Sequence, residues 1–367
     1  HQPLASILSS QVQRLTNPNS IYSLIKRSRQ AMLVWSAVWS LIFVYYFGIG
    51  ALFFVVLFEL TKIQLLGNLF LSESLVSYPL TFLFGLVLFK NKLSNFQLTI
   101  AGLSIGLSTF LLGPIWPVIG IISLLLMLRY KKRSGFILVG VLIIFLSILR
   151  FISLKGYLNY YLYDNLAYTV PSYHSESWIL TIIKSFLSPV SAFLPAALTP
   201  TLWVIRILSV ILIVNLFSKK SFKKGLLIFT LLALTNLRFV APGTEGYAGF
   251  HLLPWYAVFI FVGSMMASQK KFTIILVFLT LLISLNFEKN LLFSKTDPKA
   301  DYYINYSTHA SLGEVVKIMK EDNDTLFVSP DAWLVYWQSD TNHLPKLFGY
   351  YTWMAGVPPL HQAVLEA

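Results

Sequence analysis

Residues 114–154 read PIWPVIGIISLLLMLRYKKRSGFILVGVLIIFLSILRFISL, two apolar runs separated by the basic knot Arg129-Tyr130-Lys131-Lys132-Arg133. Neither run contains an Asp or Glu. A helix needs roughly 17 to 25 predominantly apolar residues to cross the hydrocarbon of a bilayer, fewer where its ends are buried by polar neighbours. Both runs are near that length, and a Lys/Arg knot between two of them is the flanking charge that sets topology. The pattern extends both ways along the chain. Apolar runs occupy 30–48, 51–71, 75–89, 96–112, 114–128, 135–154, 201–217, 225–239, 251–267 and 272–287, which predicts about ten transmembrane helices.

Composition points to the same class. Of the 367 residues 56% are apolar and 12% charged, with a mean hydropathy of +0.69. An ordinary soluble domain carries roughly 25% charged residues, and a soluble fold of this size has no means of covering so much hydrocarbon. The net charge of +13 does not indicate nucleic acid, because the basic residues sit in knots wedged between apolar runs rather than on an aromatic-interleaved soluble surface. With no cysteine, disulfides and thiolate metal sites are excluded.

The charges also order the gaps. Lys90/Lys92, the knot at 129–133, the knot at 219–224 and Lys270/Lys271 all follow odd-numbered runs, although the first such gap, at 47–50, is uncharged. The positive-inside rule makes these gaps cytoplasmic. The opposite gaps, 72–74, 155–200 and 241–250, are poor in Lys and Arg. An even count of spans then puts both ends of the chain outside. Residues 177–198 are apolar but broken by Lys184, Pro189 and Pro195. Counting them as a span would invert every later gap, so they are read as an interfacial or re-entrant helix.

The expected organisation is an extracytoplasmic juxtamembrane segment at 1–29, a transmembrane domain at 30–289 with an outer loop at 155–200, and an extracytoplasmic segment at 290–367. In that last segment helical patterns at 312–321 and 331–338 flank a strand at 325–328, the first half of a small α/β domain. The fold class is thus an all-α polytopic membrane protein with a small extracytoplasmic α/β C-terminal segment.

Charges at membrane depth cost on the order of 2.5 to 3.5 kcal/mol, which makes them functional candidates. Glu59 and Lys62 lie mid-span at i,i+3 in the second run, on one helix face, where they can pair. Arg206 can snorkel outward from its run, and Arg150 lies near an outer end. The outer face collects His1, Lys26, Arg27, Arg29, Glu73 at a loop tip, Asp164, His174, Glu176, Arg238, Glu245 and His251. Arginine forks suit phosphate, and a lipid phosphate at the outer interface is their natural partner. Arg238 stands out because it precedes a Gly-containing turn and a histidine at the mouth of the next run. Three histidines with Glu73 or Glu176 leave a divalent metal open, but no two of them have short helical ligand spacing. No other cofactor is implied.

Several segments carry a resemblance. His1-Gln2-Pro3-Leu4, followed by an amphipathic stretch to Arg14, resembles the H-P-P-L element of polytopic GT-C glycosyltransferases, the branch of protein O-mannosyltransferases and lipid A aminoarabinose transferases. Leu71-Ser72-Glu73-Ser74-Leu75 resembles an outer-loop acidic site of that group. Ala101-Gly102-Leu103-Ser104-Ile105-Gly106-Leu107 resembles its G-L-x-x-G-L span, and Arg238 with His251-Leu252-Leu253-Pro254 its late R…Y/H-x-x-P segment.

The resemblance implies transfer of a sugar from a polyprenyl phosphate to a glycan, lipid or protein acceptor outside a bacterial or archaeal plasma membrane. It implies that His1, Arg238 and His251 serve the lipid-phosphate end, with Glu73 and, more loosely, His174 nearby. The family's catalytic Asp precedes H-P-P-L, so the catalytic base is expected upstream of residue 1, the chain is expected to be N-terminally truncated, and this piece is expected to be inactive alone. A single proline replaces the usual pair, and Gly113-Pro114 stands where a lysine often follows the G-L-x-x-G-L span. Two other functions fit an outer-face charge cluster: a transporter or lipid flippase, against which the lack of repeated halves counts, and a non-catalytic scaffold or lipid-binding subunit. The expected partners are a polyprenyl-phosphate-linked sugar, its acceptor and membrane lipids, with no nucleic acid.

Overall fold

Where water is excluded, a backbone must satisfy its own hydrogen bonds, and a helix does so within one segment. The computed structural model describes residues 2–154, 158, 178–191, 200–216, 222–240, 249–268, 273–285, 297–328 and 333–343, and nearly all of them are helical. In chain order the helices are α1 (Pro3–Thr16), α2 (Ile21–Phe47), α3 (Ile49–Thr61), α4 (Ser72–Phe89), α5 (Asn95–Leu111), α6 (Trp116–Tyr130) and α7 (Gly135–Leu154). Then come α8 (Trp178–Ser191), α9 (Pro200–Leu216), α10 (Phe222–Thr235), α11 (Leu237–Val240), α12 (Leu253–Ser268) and α13 (Thr273–Leu285). The C-terminal part adds α14 (Pro298–Asp301), α15 (Ser307–Met319) and α16 (Trp333–Ser339). It also holds a parallel pair of two-residue strands, β1 (Thr325–Leu326) and β2 (Asn342–His343).

Local sequence explains several boundaries. Ser20 with Ser23 and Ser94 with Gln97 form reciprocal capping boxes that start α2 and α5. Gly48, at φ 68°, ends α2 in a conformation that a side chain would resist.

Two helices lie at the centre. α4 is buried from Glu73 to Leu88, and α12 is buried on every side along most of its length. A helix apolar all round is one surrounded by other helices; here α2, α3, α5 and α9 pack around the two. Phe43, Phe54 and Phe261 fill the space between α2, α3 and α12, with ring centroids 5.0 to 5.4 Å apart. Pro79 sits inside α4 and has no N–H for the Leu75 carbonyl one turn earlier. The Trp35 indole of α2 donates to that carbonyl at 3.1 Å, closing the gap with a tertiary bond.

α5 and α7 run parallel and touch backbone to backbone. A side chain at Gly102 would meet the Ile137 carbonyl, and one at Gly140 would meet the Thr99 carbonyl. Farther along, Gly106 faces Ile144 in the same register. Small residues permit this approach.

Four helical segments are long and apolar enough to cross a membrane: Ile21–Phe47, Ser72–Phe89, Gly113–Leu154 and Phe250–Ser268. Shorter apolar helices of 13 to 17 residues occupy the other expected runs. Large apolar side chains stand exposed on the periphery, among them Leu33 and Leu41 of α2, Leu142 and Leu146 of α7, and Phe278 of α13.

Contacts define two ends of the helical body. At one end the 90–95 and 129–133 turns interlock. Arg129 donates to the carbonyls of Val87 and Lys90, and Arg133 to Asn95 Oδ1 and the Leu93 carbonyl. Gly50 packs on Ser268 and Met265 at this same end. The other end carries the 62–71 loop, the N-terminus of α4 and the C-terminal part, which docks through the Arg29–Asp301 ion pair at 2.5 Å.

Some expectations are corrected. The second run stops as a helix at Thr61 instead of continuing to 71: a 3-10 turn (Lys62–Leu65) and a left-handed Leu66 turn the chain there. Glu59 and Lys62 therefore sit at a helix end, not at mid-span. Glu73 lies in the first turn of α4 and not at a loop tip. The 225–239 run breaks after Thr235, which leaves Arg238 on the separate short helix α11. α8 covers part of the segment read as interfacial; it packs along α10 and α11, buries Thr181 and Ser185, and turns Ile179, Ile183 and Leu187 outward.

Candidate functional site

A carboxylate in the first turn of a helix faces unpaired backbone N–H groups and the positive end of the helix dipole. Glu73 occupies that place in α4, and it is buried. Two partners reach it from far along the chain. His251, in the 3-10 turn (Phe250–Leu252) that opens α12, puts Nδ1 at 2.9 Å from Glu73 Oε1. Arg238 on α11 puts Nε at 3.5 Å from the same oxygen. α11 is held between the turn at Gly113–Ile115 and the turn carrying His251. The Phe250 ring lies 4.1 Å from the imidazole, tilted by 57° to it.

The chemistry of this trio follows from its geometry. An ionised carboxylate only accepts, so it fixes the proton on His251 Nδ1 and leaves Nε2 with a lone pair in the neutral ring. A carboxylate-oriented imidazole can take a proton or, once protonated, bind an anion. Arg238 adds a permanent positive charge beside it. The Ser74 hydroxyl, next to Glu73, is buried with no hydrogen-bond partner among the described residues.

Beside the trio lies a second polar group. Lys62 pairs with Glu59 Oε2 at 2.5 Å and donates to the Tyr78 hydroxyl at 2.7 Å, while Tyr78 donates to Glu59 Oε1 at 2.6 Å. The Lys62 ammonium also lies over the Phe58 and Tyr78 rings. Tyr256 of α12 donates to Thr61 at 2.7 Å, and Thr201 of α9 donates to Gln64 at 2.5 Å. These bonds tie the 62–71 loop to α3, α4 and α9 and join α12 to the end of α3, the elements that carry or border the trio. Gly67 fits closely between Lys62 and Leu253, two residues beyond His251.

Of the residues singled out in the sequence, Glu73, Arg238 and His251 meet at one point. The expected Glu59–Lys62 pair forms as well. His1 and His174 lie outside the described residues, as do Asp164, Glu176 and Glu245. Among the described residues no group of three or more His, Cys, Asp or Glu is placed to hold a metal ion. Tyr78, Thr61, Tyr256, Gln64 and Thr201 were not anticipated. A hydroxyl inside an apolar helix needs a partner when buried, and that requirement was the one signal available for Tyr78 and Tyr256. Comparison with family models, with curated proteins and with solved structures returns no match.

Proposed function

We propose that the chain is part of a multi-pass membrane transferase that moves a sugar from a polyprenyl phosphate to an acceptor on the outer face. In this reading the interlocked basic turns lie on the cytoplasmic side, and the Glu73–Arg238–His251 trio lies outside. Arg238 binds the lipid phosphate, whose negative charge grows as it leaves, and His251 Nε2 supplies or receives a proton beside it. Glu73 orients the imidazole. The observation that supports this most is the convergence of the three residues, which come from two segments of the glycosyltransferase resemblance, one at Glu73 and one running from Arg238 to His251.

One observation favours a second reading. Glu73 and His251 are both nearly fully buried and bonded to each other, as in a clamp that joins α4 to α12 without chemistry. Arg238 separates the two. In membranes containing the full-length protein, transfer of label from a polyprenyl-phosphate sugar is expected to fall roughly 100-fold or more in Arg238→Ala, the scale for losing a transition-state charge partner. The variant is expected to keep its size-exclusion profile in detergent. Unchanged transfer removes Arg238 from the site, and loss of the folded peak supports the clamp.

A further inference from the structure

The basic end of the helical body, opposite the candidate site, carries a charge arrangement that the proposed transfer does not use. Arg129 and Arg133 draw the turn between α6 and α7 against the turn between α4 and α5, and Tyr130 donates to the Asn91 carbonyl. This gathers Lys90, Lys92, Arg129, Lys131, Lys132 and Arg133 on one surface. The two arginines are committed to backbone carbonyls and Lys90 lies over the Phe47 ring. Lys92, Lys131 and Lys132 are exposed.

Nothing in this part of the chain compensates these charges. From residue 74 to residue 163 there is no Asp or Glu, a stretch that contains α5, α6 and α7 whole and all of α4 beyond its first two residues. Among the described residues none of the six cations forms an ion pair. The cluster also borders apolar surface: Leu124 and Leu128 of α6 and Phe136 and Val139 of α7 are exposed directly beneath it. A ligand that matches both features has an anionic head and an apolar tail.

We propose that this paired turn is a binding site for anionic phospholipid, with the head-group phosphate between Lys92, Lys131 and Lys132 and the acyl chains along the exposed face of α6 and α7. Each Lys near an anionic lipid surface strengthens association by roughly five-fold. The site rests on membrane residence alone and is independent of any transfer reaction.

The test uses the full chain in detergent, exchanged into mixed micelles with equal phosphatidylglycerol and phosphatidylcholine, with bound lipid counted by mass spectrometry. The wild type is expected to retain phosphatidylglycerol in preference, and the combined Lys92→Gln, Lys131→Gln, Lys132→Gln variant is expected to lose at least roughly ten-fold of that preference. These side chains are exposed, so the variant keeps its fold; the wild type in rising salt, where retention is expected to fall, gives a second measurement free of mutation. Equal retention of the two lipids by the wild type overturns the proposal, as does a variant that retains phosphatidylglycerol like the wild type. Displacement of the lipid by inorganic phosphate at equal concentration also overturns it, because the acyl chains would then contribute nothing.

Discussion

Glu73 and His251 are 178 positions apart in the chain and share one buried hydrogen bond. Removing the carboxylate leaves His251 Nδ1 without its partner inside the protein, which costs about 1–3 kcal/mol. Glu73→Ala is therefore expected to lower the thermal unfolding midpoint in detergent, and Glu73→Gln, which keeps an acceptor, to lower it less. Equal midpoints for the three proteins would show that the bond carries no stability. These residues were legible in the sequence because charge is rare in an apolar chain and each one flanks a run. Tyr78 was not, since a tyrosine in an apolar run looks the same whether its hydroxyl holds Lys62 or snorkels to an interface. The Lys62 ring of contacts is a tertiary fact with a single local part, the i,i+3 spacing from Glu59.

At the scale of elements, the α5–α7 contact depends on two glycines whose hydrogens face a neighbouring backbone. Gly140→Ala puts a methyl into the Thr99 carbonyl, and overpacking of this kind costs about 1–3 kcal/mol. Gly120→Ala in α6 meets nothing within 4 Å and is expected to be neutral or slightly stabilising. Unfolding of both variants by heat in detergent checks the contrast; equal stability would mean that the two helices separate without loss. The positions of the helices were legible from apolar run lengths, but the start of α2 at Ile21, well ahead of the apolar run at 30–48, was not. Nor were the ends of α3 and α10. α3 stops where Lys62 turns toward Tyr78 of α4, and α10 stops where the Asn236 N–H closes a tight turn onto the Ala233 carbonyl; no local pattern reveals either.

At the scale of the whole molecule, the described residues of the C-terminal part join the helical body through a few side-chain pairs. Arg29 pairs with Asp301, Tyr22 meets Tyr302 edge to face, and Trp337 donates to Gln13. Burial, reinforced by the Asp301 charge and opposed by Arg29, pushes the Tyr306 hydroxyl above its ordinary pKa. A group whose pKa is raised on docking contributes stability below its free value and loses it as pH rises beyond that. Docking is therefore expected to weaken above about pH 10, and Arg29→Ala to weaken it at neutral pH. Limited proteolysis of residues 297–343 reports both; cleavage that is unchanged by Arg29→Ala would place the tether elsewhere. The sharing of an end by the 90–95 and 129–133 turns was legible from charge parity alone, because basic residues recur after alternate runs. How the C-terminal part seats on α1 and α2 was not, since it depends on single pairings between segments more than 270 positions apart.

The parallel contact of α5 with α7 also bears on how the protein is made. Two helices that run in the same direction cannot be neighbours in sequence within a layer of antiparallel hairpins; α6 returns the chain to the starting end before α7 begins, without lying between the two. In synthesis, α5 leaves the ribosome with Gly102 and Gly106 unpaired and waits for α6 and the basic turn to follow. Only then is α7 delivered. The glycine face can thus close only after α7 has cleared the ribosome, later than any contact between α5 and α6.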